Sequence, residues 1–221
     1  MKKQNGFTLI ELAIVLVIIG LLLGGVLKGQ ELINSAKVKN MATDFRNIPV
    51  YIYGYQDKFK ALPGDDAAAA THVSGASNAT TPAGLIGNGV INGMWDSQTT
   101  TDESIMFWQH VRLSGLAPGE TIPNTTTYIP HNADGGIIGI TNGSATNLPI
   151  ATLKGTYVIC SGSILGKFAK QLDINLDDGN TATGSVQVMA NPSSHPGTPG
   201  ASAIATALVD DATSYTVCQA F

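Results

Sequence analysis

Gly6-Phe7-Thr8-Leu9-Ile10-Glu11 stands between two lysines and a long apolar run, and its reading decides the fold. From Phe7 to Leu27 the only ionisable residue is Glu11. A helix crosses a bilayer with about 20 apolar residues, so this block is long enough. A carboxylate inside such a block costs roughly 2.5–3.5 kcal/mol on insertion scales, which calls for a partner. Leu12 to Leu27 offers none. A free amine created by a cut just before Phe7 would be a suitable cation, on the same chain or on a neighbouring copy.

A secretory signal would have an uninterrupted apolar core of about 7–15 residues followed by a small-residue cut site. Here Glu11 interrupts the start, the core is longer, and Leu23-Gly24-Gly25-Val26-Leu27 is a poor cleavage site. A plain signal anchor explains the length but not Gly6-Phe7 together with Glu11. Lys2 and Lys3 precede the span and favour the cytoplasmic side. The chain after Lys28 is then expected outside the bacterial inner membrane.

The basic leader Met1-Lys2-Lys3-Gln4-Asn5-Gly6, the Gly/Phe junction and Thr8-Leu9-Ile10-Glu11 together resemble the type IV prepilin family, which includes the pseudopilins of type II secretion. The resemblance covers about the first 30 residues. It implies cleavage between Gly6 and Phe7 by a prepilin peptidase, N-methylation of Phe7, and a role for Phe7 and Glu11 in subunit assembly. The partners so implied are that peptidase, other copies and related pilins in a filament, and the inner membrane before assembly. The destination is a cell-surface pilus or a periplasmic pseudopilus. The competing class is a membrane-anchored minor or tip pilin that acts as a binding or adhesion module. Many pilins carry a proline near the end of the apolar segment. Lys28, with Gly24, Gly25 and Gly29 around it, occupies that region here, a departure from the ordinary major pilin.

Val38, Met41, Phe45, Ile48, Ile52, Tyr55 and Phe59 recur at spacings of three and four, an apolar stripe on one helical face. A continuous helix over 7–59 would run about 80 Å. Pro49 lies inside the stripe and predicts a kink or break. Leu62-Pro63-Gly64-Asp65-Asp66 reads as a turn. Residues 67–101 read as a long Ala/Gly/Asn/Ser/Thr loop. A second helix is expected over Asp102–Ser114, with Thr100 and Glu103 as a capping box, Gly115 as the stop, and Ile105, Trp108 and Val111 inward. Strands are expected at Thr127–Pro130, Gly136–Thr141, Lys154–Ser161, Gly184–Ala190 and Tyr215–Ala220, with a short helix over Leu165–Leu172. Asn191–Gly200 is a Pro/Gly/Ser loop. The fold class is α+β and pilin-like, a long N-terminal helix on an antiparallel sheet. The expected divisions are a leader over 1–6, a helix over 7–60 that spans the membrane over 7–27, and a head over 61–221.

Cys160 and Cys218 are the only cysteines. An exported head lies where disulfides persist, and many type IV pilins tie their C-terminal region to the sheet in this way, so a Cys160–Cys218 bridge is expected. Two free buried cysteines are the alternative. Beyond residue 60 the chain has four basic and twelve acidic residues, a formal charge of −8. Nucleic-acid binding needs clustered lysines and arginines, which this head lacks, so no nucleic-acid partner is expected.

Asp173, Asn175, Asp177 and Asp178 place oxygen side chains before Gly179 and imitate the opening of a calcium loop. Its glycine comes one residue late and Gly184 stands where the last glutamate would be, so the pattern fails two requirements of the EF-hand. Alternating Leu172, Ile174 and Leu176 explain the same residues as an amphipathic strand entering a turn, so no metal site is expected there. His72, His110, His131 and His195 show no metal-ligand spacing, and no nucleophile elbow or phosphate loop is present. Neither a cofactor nor an enzymatic activity is expected.

Overall fold

The computed structural model describes residues 8–124, 127–144 and 146–221. Its elements are helix α1 (Leu9–Phe59), helix α2 (Ala69–His72), helix α3 (Glu103–Leu113), strand β1 (Ile138–Asn142), strand β2 (Tyr157–Leu165), helix α4 (Gly166–Leu176), strand β3 (Val186–Ala190) and strand β4 (Ser214–Ala220). The chain forms two compact units, one up to Lys37 and one over Val38–Phe221.

In the second unit the predicted stripe is the packed face of α1. Val38, Met41, Ala42, Phe45, Ile48, Ile52 and Tyr55 are buried, and Phe59 is half-buried. The helix continues through Pro49 without the predicted break. Proline removes one backbone donor, but Phe45, Ile48 and Ile52 are buried in one core cluster on both sides of it and hold the turn.

The four strands form one antiparallel sheet in the order β1-β2-β4-β3, so the final strand lies between its predecessors. Both faces are covered. Ile138, Ile140, Ile159, Val186, Val188 and Val217 join the core of α1, α3 and α4. Val158, Cys160, Met189, Cys218 and Ala220 turn the other way, toward Trp95, Leu148, Ile150 and Leu153 from the loops. A sheet buried on both sides has runs of apolar residues in place of clean alternation, as in Tyr157-Val158-Ile159-Cys160. Gly139 lets β1 approach the loop layer, since a Cβ there would lie 1.8 Å from the Trp95 carbonyl oxygen.

Two expectations fail locally. Residues 127–130 form turns and bends with no ladder. Tyr128 is nonetheless fully buried and its hydroxyl donates to the Ile105 carbonyl at 2.8 Å, so the residue is a plug inserted from a loop. The Thr100/Glu103 capping box is also absent. Asp102 is the N-cap of α3 without a side-chain cap bond, and Glu103 faces inward to accept from the Asn92 amide nitrogens at 2.6 and 3.1 Å. Burial of Glu103 outcompetes the local cap.

Buried polar side chains hold the loops. The Asp65 carboxylate accepts from the backbone N–H of Gly87, Asn88 and Gly89 at 2.6, 3.1 and 2.7 Å. Asp66 accepts from the Tyr55 hydroxyl at 2.8 Å and the Ala68 N–H at 2.9 Å, and pairs with His72 at 2.7 Å. Gly64, at φ +92°, donates its N–H to His110 Nδ1 at 2.9 Å, which leaves Nε2–H to donate to the Ser77 carbonyl at 2.8 Å. Arg112 donates to the carbonyls of Pro118, Glu120 and Tyr128 at 3.2, 2.7 and 2.6 Å and stacks over Trp108 and Tyr128.

Cys160 and Cys218 are directly paired across β2 and β4 and form a disulfide. They are separated by 58 residues in sequence, and closing a loop of that size is worth about 4 kcal/mol in the chain-entropy model. The double variant Cys160→Ala/Cys218→Ala is therefore expected to unfold at a temperature lower by ten degrees or more, roughly. Thermal unfolding followed by circular dichroism, with and without reductant, measures this. A reductant-insensitive midpoint in the unmodified chain would show that the bridge is absent.

Candidate functional site

The first described residues build a reciprocal cap. The Thr8 backbone N–H donates to Glu11 Oε2 at 2.8 Å, and the Glu11 N–H donates to Thr8 Oγ1 at 3.3 Å. The Thr8 hydroxyl also donates to Oε2, at 2.7 Å. Thr-x-x-Glu is the capping-box pattern. The pattern is visible in the sequence as Thr8 three residues before Glu11. Within a bilayer no water satisfies a helix's first N–H groups, so a cap at this position has a physical purpose. Gly6 and Phe7 lie outside the described residues.

Every residue from Thr8 to Lys28 is exposed, including Leu9, Ile10, Leu12, Ile14 and the aliphatic run from Val15 to Leu23 apart from Gly20. The segment is apolar on all sides. A helix hydrophobic all round belongs in a membrane or a fully packed interior. Each such aliphatic side chain left in water forgoes about 1.5–3 kcal/mol, which is untenable over five turns. α1 is long and apolar enough to cross a membrane. Gly20, Gly24, Gly25 and Gly29 have nothing within 4 Å of where a Cβ would be. Among the described residues these glycines answer to no packing. Lys28 and Glu31 pair at 2.7 Å on the exposed surface just past the apolar block.

In the head, the suspected calcium residues sit on a helix end, not a strand. α4 runs to Leu176, with Asp177 as its C-cap. Leu172 is buried while Ile174 is 66% exposed, the reverse of a common strand face. Asn175 is exposed on the last turn. Asp173, Asp177 and Asp178 converge, with one carboxylate oxygen of each within 4.8 Å of the others. Burial, together with the neighbouring charges of Asp178 and Asp177, raises the Asp173 carboxyl to about 6.

The histidines are scattered in separate settings. His72 pairs with Asp66, His110 is buried against Gly64 and Ser77, and His195 pairs with buried Asp96 at 2.7 Å beside Trp95. His131 is exposed. Among the described residues, only the Asp173 group brings three metal-ligating side chains together. Burial pushes Glu103 up to about 7, against the hydrogen bonds from Asn92, and pushes half-buried Asp44 up to about 6.

A family model described as the prokaryotic N-terminal methylation motif matches residues 1–27, which is the type IV prepilin and pseudopilin signature. No curated protein and no solved structure matches the chain. The match supports a type IV pilin-like N-terminus, and the apolar α1 with a four-stranded antiparallel sheet is consistent with a pilin-like α+β fold. The matched motif and the apolar helix indicate membrane anchoring.

The raised acids predict an inverted pH dependence. A carboxyl with a raised value keeps its proton in the folded chain after the unfolded chain has released it. Its contribution is full below the unfolded value, near 4.5 for Glu103, and is lost as pH rises through about 7. Asp44 and Asp173 act in the same direction up to about 6. Glu103 alone is expected to withdraw on the order of 2 kcal/mol of stability between about pH 5 and about pH 8. Denaturant unfolding at the two pH values with a chelator present checks this, as a smaller loss in Glu103→Gln than in the unmodified chain.

Proposed function

We propose that the chain is the precursor of a structural subunit of a type IV pilus-like filament, a pilin or pseudopilin. The observation that carries this reading is the matched motif at residues 1–27, continuous with a helix exposed and apolar on every side. The chain inserts with Lys2 and Lys3 in the cytoplasm and its head outside the inner membrane. A prepilin peptidase cuts between Gly6 and Phe7, Phe7 is methylated on its new amine, and the apolar part of α1 moves from lipid into a bundle of the same segments from other subunits. Leucines and isoleucines lose little in that transfer, because both environments are dry, so close packing and matched charge set the assembly register.

Glu11 supplies the charge. Its carboxylate holds the Thr8 amide and hydroxyl in its own chain, and a carboxylate has acceptor capacity beyond those bonds. The methylated Phe7 amine of a neighbouring subunit takes up that capacity. A buried ion pair that loses one member leaves the other charge unpaired, at about 3–5 kcal/mol. The exported head works as the outer layer of the polymer, a structural part and not an enzyme.

Intact-mass measurement of membrane-extracted protein is expected to show loss of Met1–Gly6 and gain of one methyl. Retention of Met1 in a host with an active peptidase would refute the reading. Glu11→Ala and Glu11→Gln then separate cap from charge, since glutamine keeps the capping acceptor. Both variants are expected to be cleaved normally, and both should lower polymer in the sheared fraction at least about tenfold. Full polymer yield from Glu11→Gln with reduced yield from Glu11→Ala would assign Glu11 to helix capping alone. A chain found once per filament, at its tip, would favour the binding-module alternative.

A further inference from the structure

We propose that the segment joining α4 to β3 is a calcium site, with Asp173, Asp177 and Asp178 supplying carboxylate oxygens. The inference concerns the head alone and does not depend on the filament reading.

The three acids are brought together by the way α4 ends. Asp173 and Asp177 are one helical turn apart, so they share a face of α4. Gly179, in the left-handed region at φ +84°, turns the chain back, and its N–H donates to Asp173 Oδ1 at 3.2 Å. Asp177 Oδ2 reaches across the connection to accept from the Val186 N–H at 2.9 Å, at the start of β3. That reach requires glycine at 184, where a Cβ would lie 2.0 Å from the same oxygen. Asp178 is fixed by the Asn180 N–H and the Thr183 hydroxyl at 2.8 and 3.1 Å. The acidic group is therefore held together by its backbone in spite of mutual repulsion.

An independent observation points to a ligand. Asp173 is 0% exposed, and its Oδ2 is a buried oxygen with no hydrogen-bond partner. Buried polar atoms in native proteins are nearly always paired, because an unpaired one forgoes the water it lost. The charges that act on Asp173 are those of Asp177 and Asp178, both of its own sign. A cation resolves both problems at once.

The donor set selects the ion. Three carboxylates without nitrogen or sulfur are hard ligands suited to calcium or magnesium. Calcium binds oxygen at about 2.3–2.6 Å, so two of its ligands can be up to about 5 Å apart, which accommodates oxygens within 4.8 Å of one another. Magnesium demands near-ideal octahedral geometry at about 2.0–2.1 Å and keeps several waters, so a cluster of three protein carboxylates suits it less. An exposed Asp178 leaves room for water to complete the shell. The bound ion would pin the end of α4 to the first residue of β3, an edge strand of the sheet.

The test is thermal unfolding and titration calorimetry on the full chain in detergent micelles, stripped with EDTA and titrated with calcium chloride to about 5 mM, a range that covers extracellular modules. Calcium is expected to raise the midpoint and to release binding heat with one site per chain. Asp178→Asn, at an exposed position, and Asp173→Asn should each weaken calcium binding at least about tenfold, since even indirect partners of metal ligands cost that much. No calcium response in the unmodified chain overturns the proposal. So does a response that persists unchanged in Asp178→Asn, or one that magnesium matches at equal concentration. If Asp173→Asn fails to fold, Asp178→Asn alone decides.

Discussion

The change of hydrophobic pattern along α1 is the constraint on which the rest of the structure depends. Between Leu9 and Leu27 the helix has no polar face, and backbone hydrogen bonding inside the helix is what makes such a segment compatible with lipid. From Val38 onward one face of the helix is buried, and Val38, Met41, Phe45, Ile48 and Ile52 join the core. The same regular backbone therefore meets two different solvents, and only the side-chain pattern tells them apart. The sheet, α3 and α4 exist to cover the second pattern.

The head has few regular elements for its size, and charged side chains stand in for ladders. Backbone amides in long loops need acceptors as much as those in strands do. Asp65 takes three amides of the 87–89 loop, Arg112 takes three carbonyls of the 118–128 loop, and His110 bridges Gly64 to Ser77. Such anchors fix loop position as firmly as a strand would, provided the anchor is itself buried. They also explain why α3 is buried almost all round: it is the frame from which Gln109, His110 and Arg112 reach into three loops.

Periodic and covalent features were legible in the sequence. The stripe from Val38 to Phe59, the positions of β1 to β4 and the Cys160–Cys218 bridge all follow from local pattern or compartment. What escaped were features decided by partners distant in sequence. Tyr128 looks like a strand residue, yet it is buried through Ile105 and Arg112. Glu103 fits a capping box by spacing, yet Asn92 claims it. Leu172 and Leu176 alternate with Ile174 like a strand, but a helix of this length is amphipathic by its own period and leaves Ile174 outside. Of the candidate site, the Gly6–Phe7 junction and Glu11 were readable as adjacent residues. The convergence of Asp173, Asp177 and Asp178 is visible in the sequence only as an imperfect calcium-loop spacing, because its geometry comes from the helix end. Pro49 does not break α1, since tertiary packing on either side outweighs one missing hydrogen bond.

Three buried carboxylates keep an oxygen without a hydrogen-bond partner among the described residues: Asp96, Glu103 and Asp173. Their surroundings differ in the way that decides what each can do. Asp96 has His195 at 2.7 Å, a neighbour that can carry a positive charge. Glu103 accepts from both Asn92 amide nitrogens and is pushed up to about 7, chiefly by burial and further by the charges of Asp65 and Asp102, so a proton can neutralise it near physiological pH. The charges beside Asp173 are two further acids. A protein can bury an anion by pairing it, protonating it or binding a cation to it. Asp173 has no basic partner among the described residues, and a bound cation is the remedy we propose for the end of α4.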